Sequence, residues 1–300
     1  MDRSRWNVVD PDVVSQYIDV VISKSSQGNY RTDATWAPDQ VIWPARGKKV
    51  APYHWDDPLC SPTSQVDRML QVIDPYLDQQ EFLAVDSEQW WSDWVAWNEW
   101  RAGRIPKDAV PKLSANQISD SAQAVCEQLR TRTGKKIVEY TRAWFIKEYS
   151  PQMLVWLGAF NHWYAQWPYN GTVVYTTWEN LLAYYLPGVD NPTFPAGWVD
   201  PSWDIWQFTG DKFVLPGCTG AIDLNFVKRS FLDNTTPPPP QPATLTVPAG
   251  KNIRVTPNGV DCGDTQAASG LKIVREEDTG GYHWYTVEVS IAQTTGVVKR

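Results

Sequence analysis

Asp86-Ser87-Glu88 follow directly on the apolar run Phe82-Leu83-Ala84-Val85. That run predicts a buried strand, in which residues i and i+2 point to one face. Asp86 and Glu88 then project side by side from the strand end. Adjacent carboxyls resist double ionisation, so one pKa rises and the same residue chemistry supplies an acid and a base. Glycosidic bond cleavage uses such a pair. Strand ends also carry Asp and Glu because they reach solvent, so the pair takes its meaning from what surrounds it. Other chemistries have little material here. The three histidines, at 54, 162 and 283, are too scattered for a zinc peptidase site or a Ser-His-Asp site. His54 precedes Asp56-Asp57 without a second His nearby, which reads as a polar loop or substrate contact and gives no metal site. His162 lies in the run Phe160-Asn161-His162-Trp163-Tyr164, read as a surface loop. The cysteines at 60, 126, 218 and 262 form no C-x-x-C pair and read as free thiols. No Gly-rich phosphate loop opens a helix, so no cofactor is expected.

The pair needs elements to position it. Strands are expected at 18–24, 49–54, 82–86, 136–140, 153–157, 204–208 and 221–224. Helices are expected at 36–47 (interrupted by Pro38 and Pro44), at 63–77 and at 115–133, the last capped by Ser114 and stopped by Gly134. This alternation predicts an α/β fold, an irregular TIM-like (β/α) barrel, with an open doubly wound sheet as the alternative. In a barrel the carboxyl ends of the strands form the functional face. Asp2, Tyr53-His54, Tyr140, Trp206-Gln207 and Asp223 would converge there with Asp86 and Glu88. A polyproline stretch, Pro237–Pro240, sets a boundary. The expected organisation is a barrel at 1–233, a linker at 234–243 and a small all-β module at 244–300.

The formal net charge is −7, carried by the first 236 residues, which argues against nucleic acid as a partner. No segment is apolar enough for membrane insertion, and no signal peptide is visible. Tryptophan is the outlier, with 18 residues. Its flat apolar ring suits stacking on sugars as well as core packing.

In order along the chain, these segments resemble glycoside hydrolase family 25 muramidases, the Chalaropsis-type lysozymes. The matching segments are Asp2-Arg3-Ser4-Arg5-Trp6-Asn7, Ser26-Gln27-Gly28, Tyr53-His54, Asp86-Ser87-Glu88, Trp206-Gln207-Phe208 and Ile222-Asp223-Leu224-Asn225. The resemblance covers about residues 1–230. It implies a flattened barrel that cleaves the β-1,4 bond between N-acetylmuramic acid and N-acetylglucosamine in bacterial peptidoglycan. It implies Glu88 as general acid, Asp86 as the residue steadying the 2-acetamido group, and Asp2 and Asp223 as further acids that set charge and position. Tyr53, His54, Tyr140, Trp206, Gln207, Trp6, Trp90 and Trp91 are the expected substrate contacts.

Two departures stand out. The family's W-I-A-x-Y segment is Trp156-Leu157-Gly158-Ala159-Phe160 here, and residues 89–113 insert Trp90, Trp91, Trp94, Trp97 and Trp100. Positions 90, 94 and 97 fit one helical face, either a sugar-stacking wall or a packed lid. The C-terminal segment resembles a bacterial SH3-like domain through Asn252-Ile253-Arg254-Val255-Thr256-Pro257 and Gly281-Tyr282-His283-Trp284-Tyr285-Thr286-Val287. It would bind the wall and raise local substrate concentration. Without a signal peptide, phage-type release by a holin or by lysis is expected. The alternatives are a non-catalytic wall-binding or virion structural protein on a degenerate barrel, and a chitinase-like glycosidase, whose longer D-x-x-D-x-D-x-E run is absent. The oligomeric state is not readable.

Overall fold

The computed structural model describes residues 1–167, 203–210 and 213–233 in full, and the backbone of five later strands between 244 and 288. The chain divides into two compact units, Met1–Pro237 and Pro238–Arg300. The expected linker prolines and the Gly280-Gly281 turn lie outside the described residues.

The first unit is built on β1 (Asp2–Arg3), β2 (Val20–Gln27), β3 (Arg31–Thr32), β4 (Lys49–Trp55), β5 (Phe82–Asp86), β6 (Lys136–Thr141), β7 (Asn161–Ala165), β8 (Ile205–Thr209) and β9 (Leu224–Val227). They form one sheet in the order β1-β2-β4-β5-β6-β7-β8-β9, with β3 paired to β2. Neighbours are parallel from β1 to β8, and β9 runs antiparallel to β8. An antiparallel bridge between Asp2 and Asp223 brings the two sheet edges together and nearly closes a barrel.

Strand parity decides what lies inside. Val20, Ile22, Ala51, Tyr53, Phe82, Ala84, Val138, Tyr140, Trp163, Ala165 and Ile205 form an interior cluster, and Phe231 packs on Phe82 at 5.2 Å to plug the amino-terminal end. The alternate residues, among them Val21, Leu83, Val85, Ile137 and Trp206, face a separate outer core. Two helices in that layer have strong end signals. Helix α3 (Pro62–Ile73) is capped by Ser61. Helix α5 (Ala115–Thr133) opens on a Ser114/Gln117 capping box and ends at Gly134, whose φ of +66° suits glycine.

Three expectations are corrected. Residues 153–157 form no strand. Buried Met153, Trp156, Leu157 and Phe160 recur at helical spacing, and Pro151 starts a 3-10 turn, so the apolar run coils and β7 begins only at Asn161. His162 is accordingly a buried strand residue rather than a surface loop, with Nε2 2.8 Å from the Leu157 carbonyl. The expected strand at 221–224 starts at Leu224, leaving Asp223 as a bridge residue.

In the second unit, the strand Ala268–Thr279 pairs antiparallel with Thr244–Val247 and with Tyr282–Glu288, and Asn252–Arg254 pairs with Asp261–Asp264.

Candidate active site

The inward positions at the carboxyl ends of the strands carry polar and charged residues. Asp86 continues the interior series Phe82, Ala84 and lies level with Tyr140 on β6. Tyr140 meets Trp163 edge-on at 4.7 Å, and Trp163 meets Tyr53 at 6.0 Å. These three rings floor the barrel mouth.

Asp2 is held from two sides. Its Oδ2 accepts from Asn225 Nδ2 at 2.7 Å and from Gln207 Nε2 at 3.2 Å. Gln207 Oε1 accepts from the Tyr140 hydroxyl and from Trp167 Nε1, both at 3.1 Å. Asn225 Oδ1 accepts from Trp163 Nε1 at 2.7 Å. The Trp167 and Trp163 indoles can only donate, so each amide must turn its oxygen to an indole and its N–H group to Asp2. Asp2 also shares a side-chain hydrogen bond with Asp223. The result is a preset acceptor aimed by groups from β1, β6, β7, β8 and β9.

Electrostatics follow from burial. Burial raises the Asp86 carboxyl well above its ordinary range, the Glu88 charge adds to the shift, and Lys24 opposes it. Asp86 Oδ1 has no hydrogen-bond partner among the described residues. Glu88 is half-buried and also raised by burial, with Arg142 and Lys24 opposing. Asp2 is raised by burial. The Tyr53 and Tyr140 hydroxyls are pushed up by burial and by the acids, so both remain donors. Two coupled carboxyls therefore sit at one strand end in a site that favours holding a proton.

Not every expected contact is at this mouth. His54 follows Tyr53 and so faces the other way. It is fully buried behind the sheet, with Nδ1 2.8 Å from Ser26 Oγ and Nε2 3.1 Å from Gln65 Oε1. Trp206 likewise turns outward, donating Nε1 to the Gln166 carbonyl at 2.8 Å. Trp90 and Trp91 are buried, and their faces are taken. Trp90 stacks on Tyr149 at 5.0 Å, and Trp91 on Trp97 at 4.4 Å. The tryptophan insertion packs Trp90 and Trp91 against its own rings and Tyr149, and its base is tied where Leu113 N donates to Trp90 O and Ser92 N to Pro111 O. Trp6 is 78% exposed, with Arg5 stacked on its ring at 4.6 Å.

Sequence reasoning missed Lys24, Trp163 and Arg142 as site residues. Lys24 could have been found by parity, since it follows Ile22 on the inward face. Among the described residues no group of three His, Cys, Asp or Glu is placed to hold a metal ion. A cavity of about 510 Å³ lies at the opposite end of the barrel, lined by Ile18, Phe208, Phe226 and Leu232 among others, and includes none of the four acids.

The family model for glycosyl hydrolases family 25 matches residues 1–217. The chain belongs to glycosyl hydrolases family 25. This family-25 chain is a glycoside hydrolase, and its barrel is shared with solved structures. It is similar to the bacterial lysozyme from Streptomyces coelicolor, with TM-score 0.55 and 19% identity over 79% of this chain and 97% of that one. The muramidase from Acremonium alcalophilum gives TM-score 0.53 and 16% identity, covering 78% and 97%. The CTP1L endolysin gives TM-score 0.52 and 21% identity, covering 78% and 67%. No curated protein sequence matches the chain.

Proposed function

We propose that this family-25 hydrolase is a muramidase that cleaves the β-1,4 bond between N-acetylmuramic acid and N-acetylglucosamine in bacterial peptidoglycan. The observation that carries the reading is the inward Asp86 with Glu88 at the end of β5, set against Asp2 over an aromatic floor. The names of the similar proteins (a lysozyme, a muramidase and an endolysin) support the same substrate class.

Glu88, whose carboxyl is raised by burial, gives its proton to the leaving glycosidic oxygen. Asp86 acts as a carboxylate, accepting the N–H of the 2-acetamido group so that its carbonyl oxygen attacks the anomeric carbon. Water then opens the cyclic intermediate, and Glu88 takes back a proton, giving overall retention. Asp2 and Asp223 shape the charge at the mouth. Tyr53 and Tyr140 hydroxyls and the exposed Trp6 ring contact the sugar.

The second unit is proposed to be an SH3-like wall-binding module, supported by its antiparallel strands and the Asn252-Ile253-Arg254 segment on one of them. Likeness to an endolysin supports action at the cell wall after phage-type release.

Purified protein should release new reducing muramic-acid ends from peptidoglycan, and Glu88→Gln should lose nearly all of that release. Wall binding by the wild-type protein without turnover, on several wall types, would favour the non-catalytic reading.

A further inference from the structure

Lys24 is an unusual residue to bury. It follows Val20 and Ile22 on the inward face of β2, is 8% exposed, and sits 4.4 Å from the Trp55 ring centroid and 5.8 Å from that of Tyr53. The charges that face it are Asp86 and Glu88 from the end of β5, and Asp33 and Arg31 from the β3 segment. Burial lowers its pKa to about 8, with the acids opposing the shift.

A chain of side chains runs outward from this ammonium. Lys24 Nζ donates to Gln27 Oε1 at 3.2 Å. Gln27 Nε2 donates to the Tyr30 hydroxyl at 3.0 Å, and that hydroxyl donates to Asp57 Oδ2 at 3.0 Å. Asp57 Oδ1 accepts Gln89 Nε2 at 2.9 Å. Gln89 is the residue after Glu88. Every link has its donor direction fixed, because Asp57 as a carboxylate can only accept. The chain therefore ties the cation on β2 to the loop that carries the acid on β5. Asp57 N in turn donates to Gln65 Oε1 at 2.8 Å, anchoring the chain to α3.

We propose that Lys24 is a positioning residue of the reaction, held by Gln27, Tyr30, Asp57 and Gln89 as the fixed cation that keeps one negative charge on the Asp86 and Glu88 pair. Lys24 opposes the upward shift of both carboxyls, while Arg142 acts with it on Glu88, and Asp2 and Glu139 push Asp86 further up. A fixed ammonium lets the buried pair hold a charge, because one hydrogen of Lys24 is committed to Gln27 while its charge stays in the cleft. The inference rests on the muramidase reading.

The test is the pH profile of kcat and KM on solubilised glycan strands for wild type, Lys24→Met, Lys24→Arg and Tyr30→Phe, with thermal unfolding of each. Loss of the cation makes the pair harder to ionise, so the acidic limb of kcat/KM moves to higher pH. For Lys24→Met the expected shift is about one pH unit, with kcat down roughly tenfold and KM within about twofold. Lys24→Arg keeps the acidic limb in place. Tyr30→Phe removes the central link without touching the cleft, and moves the limb the same way by a smaller amount. An acidic limb in Lys24→Met or Tyr30→Phe that coincides with wild type would overturn the proposal, as would an equal shift in Lys24→Arg. If Lys24→Met does not fold, the Tyr30→Phe profile decides alone. A wild-type enzyme without turnover sinks the muramidase reading, whereas an active enzyme with unmoved limbs sinks only the role of Lys24.

Discussion

Asp2 is the residue on which most of the mouth is aimed. Its carboxylate satisfies two buried amides, from Gln207 and Asn225, and each amide is locked from behind by Tyr140, Trp167 or Trp163. Asp2→Ala leaves both N–H groups without an acceptor. The expected cost is about 2 kcal/mol or more of stability, read by denaturant unfolding. Asp56 gives a second residue-scale prediction. It lies behind the sheet, where Gln65 Nε2 and Ser121 Oγ both donate to its Oδ1, while Oδ2 has no partner among the described residues. Burial raises it to about 7. A carboxyl raised on folding binds an extra proton in the native state between its unfolded and folded pKa. Its contribution to stability is therefore full at acid pH and falls as pH rises from about 4 to about 7. Asp56→Asn should remove that part of the decline, so unfolding midpoints at pH 5 and pH 8 should lie closer together than in wild type. Parity also explains what the sequence reading lost. Adjacent residues on a strand face opposite ways, so only one of Tyr53-His54 and one of Trp206-Gln207 can reach the mouth. Tyr53 and Gln207 do, and His54 and Trp206 serve the outer core. A paired motif in the sequence cannot say which member turns inward until the strand's register is known.

At the scale of elements, the insertion after β5 is the chief departure from a simple barrel. Asp93 caps α4 (Trp94–Arg101), and the indoles of Trp90, Trp91, Trp94 and Trp97 pack on one another and on Tyr149. Lys107 rests over the Trp90, Trp144 and Tyr149 rings. Trp90→Ala would open a cavity in this cluster and unstack Tyr149, at about 3 kcal/mol of stability. The cluster sits directly after Glu88, so kcat should fall with it while the Trp6 side of the cleft is untouched. Retained stability in Trp90→Ala would return Trp90 to the role of a sugar-stacking wall. The helical spacing of 90, 94 and 97 was legible, but spacing alone does not separate a ring packed on protein from one packed on substrate. The strong helices were also legible because their ends carry local signals, as Ser114 and Gly134 do for α5. The misread strand at 153–157 carried no such signal, and its apolar run fits both periods.

At the scale of the molecule, the fold brings residues from the two ends of the first unit together. Asp2 pairs with Asp223 across the closing edge, at an Asp2 N to Asp223 O distance of 3.1 Å. A site assembled from positions 2, 86 and 223 depends on barrel closure, so it should be lost cooperatively with the fold. The second unit is a compact unit of its own. If it binds the wall, ending the chain after Asp233 should weaken sedimentation with wall pellets about tenfold or more while leaving turnover of soluble glycan strands nearly intact. Equal pelleting by the full and shortened chains would remove the wall-binding role. The order of the acids and the β/α alternation were readable from sequence because they are local or sequential. The closure of β1 on β9 was not, since nothing near Asp2 in the chain announces its partner more than 200 positions away.

The central claim is that Glu88 donates the proton that breaks a muramic-acid glycosidic bond. It is tested most directly by mass analysis of the products released from purified peptidoglycan by wild type and by Glu88→Gln, both shown to be folded. Wild type should give disaccharide-containing fragments with new reducing muramic-acid ends, and Glu88→Gln almost none. Release at the wild-type rate by Glu88→Gln would contradict it.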